Sequence, residues 1–468
     1  MSVPVLGRLS VLEWLLVVVS IAFSWLEYAS NVITKLLPQP LIQLFSYTLS
    51  VAYRWTSNPI SFITKKDDRP DDDAISFKYV TSGTDIAREK YNLMTGMLNS
   101  KSIHEMCRLF GYDIENRIVR TKDGYLLTVH RITRLDGTSA PRNGKTVYLH
   151  HGLLMNSEIW VTMLEKEQNL PFVLYELGYD VWLGNNRGNK YSHKHLTKKL
   201  DSVEFWDFSI DEFAMFDIPD SIDFILHETG NKSLTYIGFS QGTAQAFASV
   251  SVNPDLSSKI EQIIAISPAT TPHGLYSKFL DILLKSSPNL IYLIFSRKVL
   301  MPSILFWEKI MYPPFFDTSI DISNYMLFNW KSKNIDKMQK VASYAHLYST
   351  TSVKTVVQWF QIMASKNFQM YHDYSASISN LNPVSYPLKN IKIPISLIYG
   401  DSDSLVDIEV MKNQLPDKNV SSYRVAGHEH LDNLWGRDVK ELVFPRVLSI
   451  LKEKLDEERA NGLKPISN

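Results

Sequence analysis

The chain has 468 residues, 45% of them hydrophobic and 21% charged, a composition that supports a packed core and excludes wholesale disorder. Lys+Arg and Asp+Glu balance at 49 each, so no net charge marks it as a nucleic-acid binder. Cys107 is the only cysteine, which excludes an internal disulfide.

The first 66 residues differ from the rest. There are two apolar runs, Trp14 to Leu26 and Leu36 to Tyr53, the second interrupted by Pro38 and Pro40, so residues 11–55 are expected to meet a membrane or a lipid monolayer. Three readings stay open. A cleaved signal peptide would use Arg8 as its basic start, but no small-residue cleavage pattern follows. A spanning helix needs roughly 20 apolar residues, so the first run must borrow Val11, Leu12, Tyr28 and Ala29. An interfacial hairpin fits best, because the prolines end one helix and begin another. Such a hairpin can sit on a lipid droplet, whose monolayer covers oil and offers no second aqueous face.

Lys65 to Asp73 (KKDDRPDDD) is a solvated charge run, and residues 67–99 are expected to be a polar linker before the main domain over 100–468. Residues 452–468 are polar and expected to fray. Asn231-Lys-Ser and Asn419-Val-Ser fit the glycosylation pattern but stay silent unless the domain is lumenal. The 10 Trp, 23 Tyr and 22 Phe suit an ordinary large core before they suit an apolar ligand.

The chemistry begins at Ser233 to Phe239, a run suited to a buried strand, followed by Gly238-Phe239-Ser240-Gln241-Gly242 and a helical stretch from Thr243 to Val250. This is G-x-S-x-G in its required context. A strained turn presents the Ser240 hydroxyl above the sheet, and side chains at Gly238 or Gly242 would strike a neighbouring strand or helix. The amide of Gln241 can hold an oxyanion. The second donor is expected at Leu153, because His150-His151-Gly152-Leu153-Leu154 follows the strand Thr146 to Leu149. The plainer reading of that stretch is a glycine turn with a core histidine.

In this fold class the acid follows the nucleophile and the base comes last. Ile393 to Tyr399 reads as a strand, and three aspartates follow it. Asp401 lies directly after the turn, Asp407 looks like the cap of helix Ile408 to Gln414, and Asp403 is preferred, with Leu405 and Val406 anchoring its loop. After the strand Ser422 to Val425 come His428 and His430; spacing favours His430 while leaving His428 open. The remaining histidines are scattered, with no His-Glu-x-x-His or Cys/His set, so neither metal nor cofactor is expected.

Longer blocks carry a family resemblance: IHEMCRLFGYDIENRIVRTKDGYLLTVHRI from Ile103, HHGLL at His150, NNRGNKYS at Asn185, FWDFSIDEFAMFDIPDSIDFI at Phe205, GFSQGTAQ at Gly238 and HEHLDNLWG at His428. Over most of residues 100 to 450 the chain resembles the acid lipase family, which includes gastric lipase, lysosomal acid lipase and the fungal steryl ester hydrolases. LGRLSVLEW, LLPQPLIQLF, FNWKS and ASYAHLYSTTSVKTVVQWFQI are most similar to the steryl ester hydrolase branch. The resemblance implies an α/β-hydrolase fold, with a mostly parallel sheet flanked by helices and a helical cap inserted at about 271–382. It also implies Asp403 as acid, His430 as base, and steryl esters as substrates, with triacylglycerol the nearest rival. Residence on lipid droplets or the endoplasmic reticulum membrane follows from the same branch. An inactive lipid-binding scaffold is the reading from another class.

Overall fold

In the computed structural model the described residues are 85–138, 142–278, 313–373 and 383–460, with scattered positions between 14 and 51 and between 281 and 307. Among the described residues nine strands form one mixed sheet: β1 (Tyr112–Arg120), β2 (Tyr125–Arg134), β3 (Thr146–His150), β4 (Asp180–Leu183), β5 (Lys194–His195), β6 (Leu234–Phe239), β7 (Ile260–Ile266), β8 (Ile395–Gly400) and β9 (Val420–Val425). Their order is β1-β2-β4-β3-β6-β7-β8-β9, with the short β5 beside β2. β4, β3, β6, β7, β8 and β9 run parallel, while β1, β2 and the β2–β4 pair are antiparallel.

Parallel strands need crossovers, and these put helices on both faces. The principal helices are α1 (Asp85–Asn99), α2 (Leu170–Glu176), α3 (Ile218–Thr229), α4 (Gln241–Val252), α5 (Pro313–Phe328), α6 (Lys337–Tyr344), α7 (Val353–Ser365), α8 (Ile408–Gln414) and α9 (Phe444–Ala460). β6 is buried at all six positions, as a strand covered on both faces must be. Its side chains alternate between two cores. Ile237 and Phe239 join Leu149, Ile266 and the α9 residues Val447 and Leu451 on one face. Tyr236 joins Ile263, Leu397 and the α3 residues Ile222 and Ile225 on the other. Cys107 is fully buried in the first core, alongside Met94 and Met97 of α1.

Two expectations are corrected. Residues 85–99, assigned to a polar linker, form α1 instead, because Met94 and Met97 lie on one helical face and enter the core. The C-terminal segment stays helical to Ala460 rather than fraying from 452. Between β7 and β8 the described parts of the insertion are largely helical.

Among the described residues no helix is long and apolar enough to cross a membrane, and most of residues 11–55 lie outside them. The described positions of that region are helical apart from Pro38, and the Leu41 amide donates to Pro38 O at 2.9 Å as the next helix begins. The charge run at 65–73 lies outside the described residues.

Candidate active site

β6 passes into α4 with one residue between them. That residue is Ser240, at φ 52° and ψ −120°. A non-glycine residue in such a region carries about 1–3 kcal/mol of strain, which the surroundings must enforce. Two close approaches enforce it. A Cβ on Gly238 would stand 2.8 Å from Thr243 N, and one on Gly242 would stand 2.5 Å from His150 O. Strand, helix and the loop after β3 therefore meet where only hydrogen atoms fit. Tyr236 Oη donates to Gly242 O at 2.8 Å, and Thr243 Oγ1 to Ser240 O at 2.7 Å, locking the turn.

Three loops at the C-terminal ends of parallel strands bring the candidate side chains together, as open α/β sheets do. His430, after β9, has Nε2 2.8 Å from Ser240 Oγ. Its Nδ1 lies 2.6 Å from Asp403 Oδ2, on the loop after β8. Asp403 Oδ1 accepts from the Leu405 amide at 3.0 Å, so both carboxylate oxygens are engaged. All three residues are buried.

The competing residues serve elsewhere. Asp401 accepts from Arg424 at 2.9 and 2.5 Å and from the Gly427 amide at 2.7 Å, tying the β8 loop to the β9 loop. Asp407 caps α8 through the Val410 amide. His428 turns away from Ser240: its Nδ1 is 2.9 Å from Asn433 Oδ1 and its Nε2 2.9 Å from Asp438 Oδ1.

The loop after β3 lies against the nucleophile, for a Cβ on Gly152 would stand 3.0 Å from Ser240 Cβ. Leu153 follows directly, and Gln241 opens α4. A buried polar chain braces both residues. Trp359 Nε1, from α7, donates to Gln241 Oε1 at 2.7 Å, and Gln241 Nε2 donates to Gln245 Oε1 at 3.1 Å. Asn186 Nδ2 also donates to Gln245 Oε1, at 2.8 Å. The Asn186 amide donates to His151 Nε2 at 3.2 Å, and His151 Nδ1 lies 2.8 Å from Gly152 O. Burial pushes the His151 imidazole down to about 4, so it is neutral at pH 7, with Nδ1 as donor and Nε2 as acceptor.

Below this loop Arg187 is fully buried. It pairs with Asp217 at 2.7 Å and Asp123 at 2.5 Å, and its guanidinium lies 4.0 Å from the centre of the Tyr125 ring. A buried charge needs such partners, and these fasten the NNRGN loop to the β1–β2 turn through Asp123 and to the start of α3 through Asp217.

The insertion also reaches the site. Trp330 stacks on the His430 ring, with centroids 5.1 Å apart and planes 6° from parallel. Phe328 stacks on the same indole at 4.5 Å, and Phe239 contacts His430 at 5.3 Å. The Glu429 carboxylate accepts the Lys331 and Ser332 amides at 2.8–2.9 Å. Sequence pattern alone gives Trp330, Glu429, Trp359 and Gln245 no role at the site. Their only signal was membership of blocks that carried the resemblance. Among the described residues no group of three or more His, Cys, Asp or Glu could hold a metal.

Fold and site together define an α/β-hydrolase. The family described as alpha/beta hydrolase fold matches residues 145–436, and the partial alpha/beta-hydrolase lipase region matches residues 103–164. A protein named probable lipase from Schizosaccharomyces pombe is 49% identical over 357 residues, covering 75% of this chain and 80% of that one. Human gastric triacylglycerol lipase is 33% identical over 378 residues, covering 75% of this chain and 91% of that one. The chain belongs to the acid lipase family of α/β-hydrolases, and it is a carboxylic ester hydrolase of the lipase and esterase type.

Proposed function

We propose that the chain hydrolyses steryl esters to free sterol and fatty acid, with Ser240, His430 and Asp403 as its catalytic triad. The hydrogen-bonded chain Asp403–His430–Ser240 carries the chemistry. His430 takes the Ser240 proton as Oγ attacks the ester carbonyl. The amides of Leu153 and Gln241 hold the oxyanion, and the positive end of α4 favours the same charge. His430 then protonates the departing alcohol. Water, activated by His430, cleaves the acyl-enzyme and releases the fatty acid. Asp403 orients the imidazole and stabilises its charged form.

The steryl substrate is supported by the resemblance of the FNWKS and following blocks to the steryl ester hydrolase branch, and by aromatic side chains of the insertion beside the triad. Triacylglycerol is the second reading, favoured by the human relative named gastric triacylglycerol lipase. Attachment to a lipid droplet or endoplasmic reticulum surface through residues 11–55 belongs to the same proposal. Trp25 and Leu26, helical and about two-thirds exposed at 68% and 66%, are suited to enter a lipid layer. Mobilisation of stored neutral lipid would follow from that location.

Fatty acid release from emulsified cholesteryl oleate and triolein tests the reading, with Ser240→Ala alongside. Steryl ester cleavage that the variant loses supports the proposal. Cleavage of triolein alone moves the substrate to triacylglycerol, and cleavage of neither by folded wild type favours the scaffold.

A further inference from the structure

The segment following α5 runs as a strap over the candidate triad. It is fastened at three points. Ser404 Oγ, on the loop of Asp403, donates to Phe328 O. Glu429, the residue before His430, accepts the amides of Lys331 and Ser332. Asn334 Nδ2 donates to Asp438 Oδ1 at 2.8 Å, the same oxygen that His428 Nε2 faces. The strap is thus tied to the loops of both the acid and the base.

What it carries at its middle is Trp330, buried and parallel to the His430 ring. The indole Nε1–H has no hydrogen-bond partner among the described residues. A buried donor left unmade is costly, so the ring's placement is set by its stacking contacts with Phe328 and His430.

We propose that Trp330 is a positioning residue for His430, and that Glu429 holds it in place by fastening the strap. This rests on the triad assigned above. During acyl transfer His430 becomes an imidazolium. An aromatic face over a cation attracts it, and indole is the best such face. The stack also denies the ring rotation away from the Ser240–Asp403 line, and keeps water from that side. The insertion thereby contributes to turnover as well as covering the site.

The test compares wild type, Trp330→Ala, Trp330→Phe and Glu429→Gln on a soluble short-chain p-nitrophenyl ester, which needs no lipid surface. Labelling by a fluorophosphonate reports whether Ser240 is active. Trp330→Ala should lower kcat by roughly 10–30-fold with KM changed less than about twofold, as expected for the loss of a desolvated cation–π contact. Trp330→Phe should restore most of the loss. Glu429→Gln, which keeps one acceptor and leaves the indole in the chain, should lower kcat several-fold in the same way.

Wild-type kcat in Trp330→Ala and Glu429→Gln overturns the positioning role and leaves the triad standing. A Trp330→Phe variant as slow as Trp330→Ala, with normal thermal stability, also overturns it. Wild type that neither turns over nor labels removes the triad assignment and this inference together.

Discussion

Asp401 and Asp403 stand two residues apart and serve different partners: Asp403 holds His430 Nδ1, while Asp401 grips Arg424 and the Gly427 amide. Burial acts to raise the Asp401 carboxyl, but the Arg424 guanidinium and the Gly427 amide hold it below the usual carboxylate range. Asp403→Asn should lower kcat about 10⁴-fold while leaving thermal stability nearly unchanged, because the imidazole loses the tautomer it needs. Asp401→Asn should lower the melting temperature slightly and kcat by less than about tenfold. Both are read from ester turnover and thermal unfolding. The opposite ranking would make Asp401 the acid.

The closeness of Gly242 to the loop after β3 makes a second prediction. An added Cβ would meet His150 O at 2.5 Å and His151 O at 2.8 Å, both backbone atoms that lead into Leu153. Gly242→Ala should therefore cost about 1–3 kcal/mol in stability and ~10²–10³-fold in kcat through a displaced oxyanion donor. Gly137→Ala is the control, since its φ of +73° lies in open space. It should cost stability alone. Denaturant unfolding with kcat on the same preparations decides. A Gly242→Ala enzyme with normal turnover would show that the loop yields without moving its donor.

Glu158 sets a pH dependence. It is fully buried, which acts to raise its carboxyl, but the His346 hydrogen bond and the Lys190 charge pull it down to about 2. The pairs measure 3.5 Å to His346 and 2.5 Å to Lys190. In the unfolded chain the group titrates near its ordinary 4.5. Its contribution to stability is therefore complete above about 4.5 and disappears as pH falls through the range down to about 2. Glu158→Gln should cost roughly 3–5 kcal/mol at pH 7, as removal of one buried partner does. That penalty should shrink steadily below about pH 4.5. Unfolding free energies from pH 7 to pH 3 check it. A penalty independent of pH would mean that packing, not charge, is what Glu158 supplies.

How much of this was legible beforehand follows the range of each interaction. The Ser240 turn is local: strand, glycines and small-residue helix lie within one continuous stretch, so the residues announce the geometry. The choice of Asp403 over Asp401, and of His430 over His428, turns on which loop residue faces which, and spacing alone left the histidines open. The structure separates them through partners such as Arg424 and Asp438. The stack of Trp330 on His430 joins positions a hundred residues apart, and no periodicity reports it. The misreading of α1 has another cause. Its charged and polar residues hide a face of only a few apolar side chains, and that face is decided by Met94 and Met97 meeting a core built by later residues.

The lone cysteine has a practical consequence. Burial pushes the Cys107 thiol well above its ordinary range, which removes both access and the reactive thiolate. The native chain is therefore expected to react little with thiol reagents. A single cysteine introduced at exposed Tyr325, on the helix that leads into the Trp330 strap, would be the only one a reagent could find. A polarity-sensitive dye there would report contact with an oil surface, in the unaltered background of the working enzyme.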